Sequence, residues 1–501
     1  MLKGIKVKKN NLFSICAPFV IIVAVFAIIY PKELTHFIIN TTNFFYITLD
    51  WFILWLPLLG LSLGLYLAFS KYGKIKFGDC KPEYSTFSWM SMLFTAGIGV
   101  GIVFYGPLEA LWHYQTSPIG INANYDQQQA MQNAMSISLF VWGLPAWALY
   151  TFGGVIIAYF AYKHGGEFAP NSCIEIAFQG RKFAKPLAKF IVIFAIIGIA
   201  LSVTASVAMA TGQVSSGLKI IFGDKDFTSN TWKIGILITL FLAFTLASIL
   251  PIKKGMKILG DWTMIFSLIL LAFVFFTGPT HYFISVIIAS IGKIITDTIP
   301  YSFELYIFKS RDWFVWYPLA YIVWWITWTP FVGVFLAKIS KGRTLKEFIL
   351  CSILIPTGFM VVWFSVFSGY GLLDEVQMSK EIASMANSNG YEGTIYRILQ
   401  DFPFSTFTQY LTVFLFISFV ITTITSAAIS LGIMTSNDGK SESKIKAAFW
   451  CVIIALVSFA VIITGKLEGI KAMGSFMGFP FVYLLFIMGS ALFKQIKKDE
   501  K

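Results

Sequence analysis

The sequence has few charged residues and lacks the side-chain groupings on which most enzymes and metal sites depend. Charged residues make up 13% of its 501 residues. The four histidines are scattered without metal-ligand spacing, and the sequence shows no phosphate-binding loop and no nucleophile with an acid–base partner. These absences argue against an enzyme, and we expect neither a cofactor nor a structural metal.

Cysteines and intramembrane titratable residues are also scarce. The five cysteines lie in apolar segments or in segments expected to face the cytoplasm, so no disulfide is expected. No acidic, basic or histidine residue stands at the centre of an apolar segment. Because a proton relay through a membrane usually needs such a residue, this absence argues against proton coupling.

Long apolar segments, in contrast, are abundant. Hydrophobic residues make up 57% of the chain and the mean hydropathy is +0.74, as expected for an integral membrane protein. We therefore predict an all-α integral membrane protein with twelve transmembrane helices. The predicted spans cover residues 12–30, 49–69, 86–112, 130–161, 187–218, 232–250, 257–278, 313–337, 346–369, 406–433, 446–464 and 473–493.

The net charge of +13 could suggest a nucleic-acid partner, but the basic residues follow the membrane topology. With both termini in the cytoplasm, the inside segments contain 27 of the 38 Lys and Arg residues. They include short basic tails at 1–11 and 494–501. This positive-inside pattern indicates a multi-pass protein of the cell membrane, surrounded by lipid and without a nucleic-acid partner.

The third span contains three glycines at alternate positions, Gly97, Gly99 and Gly101, close to its midpoint. Each weakens a helix by about 1 kcal/mol relative to alanine. Irregular backbone at this depth is tolerated where it lines a cavity, and broken helices bind substrate and ions in secondary transporters. Close helix packing is the alternative, because Gly97 and Gly101 have the four-residue spacing of a GxxxG motif.

Two aromatic clusters lie at the same predicted depth. Tryptophan normally prefers the membrane–water interface, whereas electron-rich rings in a water-poor site attract organic cations, above all quaternary ammonium groups. Packing between helices can explain either cluster alone; both together, beside a helix break, favour a binding site. The fourth span contributes Trp142, Trp147 and Tyr150, and the eighth contributes Trp324, Trp325 and Trp328.

The tenth span carries hydroxyl side chains slightly to the inner side of its midpoint, at Thr422, Thr425 and Ser426. Such hydroxyls often bond only to their own helix. Their oxygens are also suitable ligands for a small monovalent cation, so both interpretations stay open.

These segments resemble the betaine/carnitine/choline transporter family over most of the chain. The strongest matches are AGIGVGIVFYG (96–106), WGLPAWALY (142–150), KKGMKILG (253–260) leading to VFFTGP (274–279), and WWITWTPFVGVFLAKISKGRTLKEF (324–348). The last of these is specific enough to identify the family by itself.

The resemblance implies a LeuT-like fold with two inverted repeats of five helices, at 86–280 and 312–493. Two N-terminal transmembrane helices at 12–85 would precede the repeats. Between the repeats, the stripe of Ser285, Ala289 and Lys293 predicts an outer-surface amphipathic helix and loop at 281–311. The resemblance also implies a homotrimer that works by alternating access.

The resemblance also implies roles for individual residues. The trimethylammonium group would be held by Trp142, Trp147, Tyr150, Trp324, Trp325 and Trp328, with Gly97, Gly99 and Gly101 facing the substrate. One sodium ion would be bound by the backbone oxygens of Thr95 and Ile98 and by the side chains of Thr425 and Ser426.

Four positions bear on the substrate and the coupling ion. Gly101 stands where choline carriers of the family tend to have Asp, and Met264 where sodium-independent carnitine exchangers have Arg. Gly101 favours a zwitterionic substrate, and Met264 favours coupling to sodium. Two residues depart from the family pattern: Ala320 stands where betaine carriers have an aromatic residue, and Ala428 stands where the usual TSxDS motif has Asp.

The sequence therefore predicts a sodium symporter that imports a quaternary-ammonium osmoprotectant, with glycine betaine as the first candidate. Choline, carnitine, ectoine or another onium compound is the alternative substrate. A transport-dead betaine sensor is the alternative function.

Overall fold

The computed structural model describes residues 11–121, 125–223, 226–308, 311–373, 378, 391–464 and 467–500. The side chains of Pro31 and of residues 464–475 are outside this description. The basic tail predicted at 1–11 also lies outside it, except for its last residue.

The described residues are almost entirely helical, with one isolated antiparallel bridge between Lys76 and Thr344. In chain order the helices are α1 (Leu12–Ile29), α2 (Pro31–Phe69), α3 (Thr86–Ile98), α4 (Gly101–Thr116), α5 (Gln127–Trp142), α6 (Leu144–His164), α7 (Ser172–Ala177), α8 (Ala184–Phe222), α9 (Asn230–Ile249), α10 (Met256–Thr277), α11 (Thr280–Tyr301), α12 (Asp312–Phe314), α13 (Ala320–Ile339), α14 (Leu345–Leu373), α15 (Thr394–Gln400), α16 (Ser405–Met434), α17 (Lys444–Thr464) and α18 (Leu467–Asp499). A π-helical turn, Val315–Leu319, joins α12 to α13.

The prediction of a multi-pass all-α membrane protein is confirmed. Among the described residues, twelve helices are long and apolar enough to cross a membrane, and the bent pair α3–α4 could add a thirteenth. Eleven of these helices and the bent pair correspond to the twelve predicted spans. The remaining helix, α11, is the one that we predict to lie on the outer surface.

Local sequence determines where α5 and α6 begin and where they meet. Asp126 caps α5 by accepting a hydrogen bond from the backbone N–H of Gln129 at 2.8 Å. At Gly143 the chain turns between the two helices, and a Cβ atom there would lie 2.5 Å from the carbonyl oxygen of Leu139. Pro145 in the first turn of α6 suits a new helix start. The fourth predicted span is therefore two consecutive helices.

Glycines allow α6 and α13 to approach closely, which brings the two aromatic clusters together. A Cβ atom on Gly153 would lie 2.3 Å from the Thr329 side chain, and one on Gly333 would lie 3.1 Å from the backbone nitrogen of Gly154. Small residues on both helices thus set their separation.

Helix α11 has one packed face and one exposed apolar face. Phe283 and Ser290 are buried, and the Ser365 hydroxyl of α14 donates a hydrogen bond to Ser290 at 3.2 Å. Ile288 and Ile295 on the opposite face are exposed. The helix thus has the two faces expected of the predicted 281–311 segment, and its placement at the outer membrane surface stays a prediction.

The C-terminal basic residues continue α18 instead of forming a separate tail. The helix runs to Asp499, whose carboxylate accepts a hydrogen bond from the Tyr159 hydroxyl and lies 2.8 Å from Nε2 of His164. Residues 494–499 are therefore attached to the end of α6.

Candidate functional site

The break between α3 and α4 is the centre of the site. Gly99 has φ 64° and ψ −162°, a conformation that glycine adopts readily and other residues rarely do. The axes of the two helices differ by 61°. At such a break, the last carbonyls of α3 and the first N–H groups of α4 lack helical partners. The predicted break is confirmed, with the irregular backbone limited to Gly99 and Val100.

Three aromatic rings from three helices meet beside this break. The Trp325 ring of α13 lies 5.0 Å from that of Trp142, at the end of α5, and 6.1 Å from that of Tyr150 in α6. The interplanar angles are 68° and 81°, so the rings meet edge to face. All three side chains are at most 2% exposed. We call Trp142, Tyr150 and Trp325 the aromatic cage.

The orientation of Trp325 is determined by a hydrogen bond. Its indole N–H donates to the carbonyl oxygen of Val141 in the last turn of α5 at 2.7 Å. This bond links α13 to α5 and fixes the orientation of the indole ring.

Each of the three alternate glycines faces one indole ring. A Cβ atom on Gly97 would lie 3.0 Å from the Trp147 ring, and one on Gly101 would lie 2.5 Å from the Trp142 ring. A Cβ atom on Gly99 would lie 3.3 Å from the Trp328 ring. The glycine motif and the two aromatic clusters therefore lie together beside the break between α3 and α4.

The other predicted aromatic residues surround the cage. Trp147 packs edge to face with Tyr150 at 5.6 Å. Trp324 is half-buried; its ring stacks on Trp325 at 5.6 Å and meets Trp328 edge to face at 5.8 Å. Trp324 thus contacts the cage through Trp325.

Two buried hydrogen-bond donors at the site lack a partner within the described part of the chain. They are the hydroxyl of Tyr150 and the indole N–H of Trp328. Buried polar groups without a hydrogen bond are costly, so each indicates a place where a polar ligand atom can bind.

A buried carboxylate that the sequence analysis overlooked lies behind the cage. Oε2 of Glu109 in α4 accepts a hydrogen bond from the Tyr321 hydroxyl at 2.9 Å and from the Trp142 indole at 3.4 Å. His113 Nε2 lies 3.1 Å from Oε1. Glu109 lies near the outer end of the predicted span 86–112, away from the span centre, where a titratable residue would indicate a proton relay. An acidic residue within an apolar run was the available signal.

The carbonyl oxygen of Thr95, in the last turn of α3, is the centre of the candidate ion site. It accepts a hydrogen bond from the hydroxyl of Thr423 in α16 at 3.2 Å. The Thr422 hydroxyl lies 3.5 Å away but donates within its own helix, to the carbonyl oxygen of Phe419 at 2.9 Å. Ile98 ends α3 one turn later. Thr422 is one of the hydroxyls that the sequence pattern indicates as possible cation ligands, whereas Thr423 is not among the predicted residues.

The structure turns the other two predicted ion ligands away from Thr95. The Thr425 hydroxyl donates to the carbonyl oxygen of Phe244 in α9 at 3.5 Å, and the Ser426 hydroxyl donates to that of Thr423 at 2.8 Å. Ser426 is thus linked to the Thr95 region only through Thr423.

Helix α10 packs beside this region. A Cβ atom on Gly260 would lie 3.3 Å from the Thr95 hydroxyl, and Met264, one turn further, is buried. Met264 supplies no positive charge near the candidate ion site. Ala428 in α16 is fully buried, whereas Ala320 in α13 is half-buried.

The chain is similar to known membrane transporters. The sequence model of the betaine/carnitine/choline family transporters matches residues 11–501. The chain is 31% identical to a betaine/ectoine transporter of Corynebacterium glutamicum over 462 residues, which cover 90% of this chain and 71% of that protein.

Two further relatives are similar over most of their own length. A glycine betaine transporter of Bacillus subtilis is 29% identical over 498 residues, or 98% of this chain and 95% of that protein. An osmo-independent choline transporter of Acinetobacter baylyi is 29% identical over 456 residues, or 90% of this chain and 86% of that protein.

Proposed function

The chain belongs to the betaine/carnitine/choline transporter family, and on this basis we propose that it imports glycine betaine by sodium symport. It is a transporter and not an enzyme. Alternating access, in which sodium binding favours the substrate-competent outward-facing state, would couple the sodium gradient to uptake.

The observation that carries this proposal is the aromatic cage. Trp142, Tyr150 and Trp325 come from three helices and meet at the break between α3 and α4, away from water. Indole faces in such a setting attract a trimethylammonium group, which has no hydrogen to donate to a polar partner.

Two features favour a zwitterion over a net cation. The unpartnered donors of Tyr150 and Trp328 are suited to a substrate carboxylate. At Gly101, a Cβ atom would lie 2.5 Å from the Trp142 ring, so an aspartate at the glycine break itself does not fit without moving that ring.

Thr95 and α16 support the sodium part of the proposal. The Thr95 carbonyl and the hydroxyls of Thr422 and Thr423 bring three oxygens together beside the helix break. We propose that sodium binds here, with the Ile98 carbonyl at the end of α3. Thr425 and Ser426 would join only after their side chains reorient.

The assembly and location are part of the same proposal. We propose a homotrimer in the plasma membrane, with both termini in the cytoplasm and lipid around the apolar faces. The excess of Lys and Arg in alternate connecting segments supports this orientation.

Choline is the second candidate substrate, supported by the similarity to the choline transporter of Acinetobacter baylyi. Ectoine is another, because the Corynebacterium glutamicum relative is a betaine/ectoine transporter. A betaine sensor that binds without transporting is the alternative function.

The test is uptake of radiolabelled glycine betaine by proteoliposomes with and without an inward sodium gradient. We expect accumulation only with the gradient, and stronger competition by unlabelled glycine betaine than by choline, carnitine or ectoine. Stronger competition by one of the other compounds would reassign the substrate. Saturable binding without accumulation would identify a sensor.

A Thr423→Val variant tests the ion site within the same assay. The change removes one oxygen near the Thr95 carbonyl with little change in side-chain volume. We expect this variant to need about ten times more sodium for half-maximal uptake. The loss of one ligand hydroxyl costs roughly 1.4 kcal/mol of binding free energy, which corresponds to this tenfold change. Thr239→Val, on an exposed part of α9, is the control. Equal sodium dependence in both variants would contradict this ion site.

A further inference from the structure

Glu109 is a buried carboxylate whose surroundings contain hydrogen-bond donors but no fixed cation. It is 3% exposed, and within the described part of the chain its only ion-pair contact is with His113. A buried carboxylate without a cationic partner is costly and persists only where other interactions compensate it.

The hydrogen bonds around His113 determine the charge of the pair. The Trp313 indole N–H, which can only donate, lies 3.2 Å from Nδ1 of His113. Nδ1 is therefore the acceptor, and the neutral imidazole carries its hydrogen on Nε2. That N–H donates to Oε1 of Glu109 at 3.1 Å. His113 therefore adds no positive charge to the pair, and with Glu109 as a carboxylate the pair has a net charge of −1.

The other carboxylate oxygen is attached to the cage. Oε2 accepts from Trp142, a cage residue, and from Tyr321, whose ring lies 6.0 Å from Trp325 and 5.6 Å from Trp142. One carboxylate oxygen of Glu109 in α4 therefore orients the rings of Trp142 in α5 and Tyr321 in α13. An indole that donates its N–H to an anion also has a more electron-rich ring, which strengthens its attraction for a cation.

Glu109 lies on the outward side of the glycine break. It is eight residues after Gly101 in α4, or about 12 Å along the helix, toward the end that the positive-inside pattern assigns to the outside. Trp142 bridges this distance, since its six-membered ring faces Gly101 and its indole N–H faces Glu109.

We propose that Glu109 is a positioning and specificity residue, whose charge selects the ammonium group and whose hydrogen bonds orient Trp142 and Tyr321. This inference rests on the proposed function, since it requires a quaternary-ammonium substrate in the cage. The cation of the substrate supplies the positive charge that the described protein groups around Glu109 lack.

The test compares two ligands of the same shape and different charge. Glycine betaine carries a trimethylammonium group, whereas in 3,3-dimethylbutanoate a carbon atom replaces the nitrogen. Binding of radiolabelled glycine betaine to the purified full-length protein is measured directly, and binding of the carbon analogue by competition. The variants are Glu109→Gln, which removes the charge but keeps the shape, and Glu109→Asp, which keeps the charge.

We expect Glu109→Gln to weaken glycine betaine binding about tenfold and to leave binding of the carbon analogue unchanged or slightly stronger. Glu109→Asp should preserve the ratio of the two affinities even if both fall. If Glu109 had a purely structural role, Glu109→Gln would weaken the binding of both ligands equally, and that result would overturn the inference. A changed ratio of the two affinities in Glu109→Asp would also overturn the inference.

Glu304→Gln provides the matched control, because it removes an exposed negative charge on the same side of the protein. Its two affinities should equal those of the wild type. If the wild-type protein bound no quaternary ammonium compound, the proposed function itself would fail. A wild type that binds glycine betaine, with an unchanged affinity ratio in Glu109→Gln, would overturn only the inference about Glu109.

Discussion

At the scale of single residues, the site pairs small and large side chains. Gly97, Gly99 and Gly101 have no Cβ atom, and indole rings occupy the space where one would be. The alternate spacing of these glycines was visible in the sequence, but which indole faces which glycine was not. That pairing depends on how three helices rotate about their axes, which a sequence pattern specifies only approximately.

Trp328 offers a test of how the substrate carboxylate is bound. Trp328→Phe keeps an aromatic ring and removes the unpartnered N–H. We expect the KM for glycine betaine uptake to rise about tenfold, since a hydrogen bond to a charged group contributes roughly 1.5–3 kcal/mol. Trp328→Ala should weaken uptake further, because it also removes the ring.

The matched control for this change is Trp262→Phe, which alters an exposed tryptophan of α10. Its KM should equal that of the wild type. A wild-type KM in Trp328→Phe would contradict the role assigned to the indole N–H.

At the scale of elements, the break between α3 and α4 is the least regular part of the candidate site. The sequence predicted irregular backbone across 97–101, and the structure limits it to Gly99 and Val100. The ion ligands were harder to predict. Thr422, Thr423, Thr425 and Ser426 occupy one turn of α16, so only the packed orientation of that helix shows which hydroxyls reach Thr95.

Gly99→Ala tests whether the break depends on the backbone conformation of glycine. At φ 64° and ψ −162° an alanine is strained, so we expect a loss of roughly 1–3 kcal/mol in stability. The apparent Tm of the detergent-solubilised variant should be lower than that of the wild type. Glycine betaine should raise the Tm of the variant by less than it raises the Tm of the wild type.

Gly235→Ala in α9 is the control, since a Cβ atom there would meet no other atom within 4 Å. Its Tm should not fall. Equal Tm values for the two variants would show that the break tolerates a side chain at Gly99, contrary to this account.

At the scale of the whole molecule, hydropathy and charge were sufficient to predict a multi-pass all-α protein. Length and apolar character alone do not separate α11 from the membrane spans, and its predicted place on the outer surface depends on its amphipathic pattern. The role of Glu109 was also not predictable from hydropathy and charge. A carboxylate inside the fold becomes interpretable only when its partners are known, and His113, Trp142 and Tyr321 reach it from three different segments.

The inverted repeats, the trimer and the coupling to sodium remain predictions from the family resemblance. Their role in transport depends on the aromatic cage, because alternating access moves a substrate only if the substrate binds between the helices that move. Trp142 and Trp325 are therefore the residues on which the account is most directly tested.

The decisive measurement is the affinity for glycine betaine when Trp325 is replaced by tryptophans with one, two and three ring fluorines. Each fluorine withdraws electron density with little change in ring size, so a cation–π contact weakens in steps. The account predicts that the logarithm of Kd rises linearly with fluorine number at Trp325, and stays constant when exposed Trp262 is fluorinated instead. A Kd that is independent of fluorination at both Trp325 and Trp142 would contradict the claim that these rings bind the quaternary nitrogen.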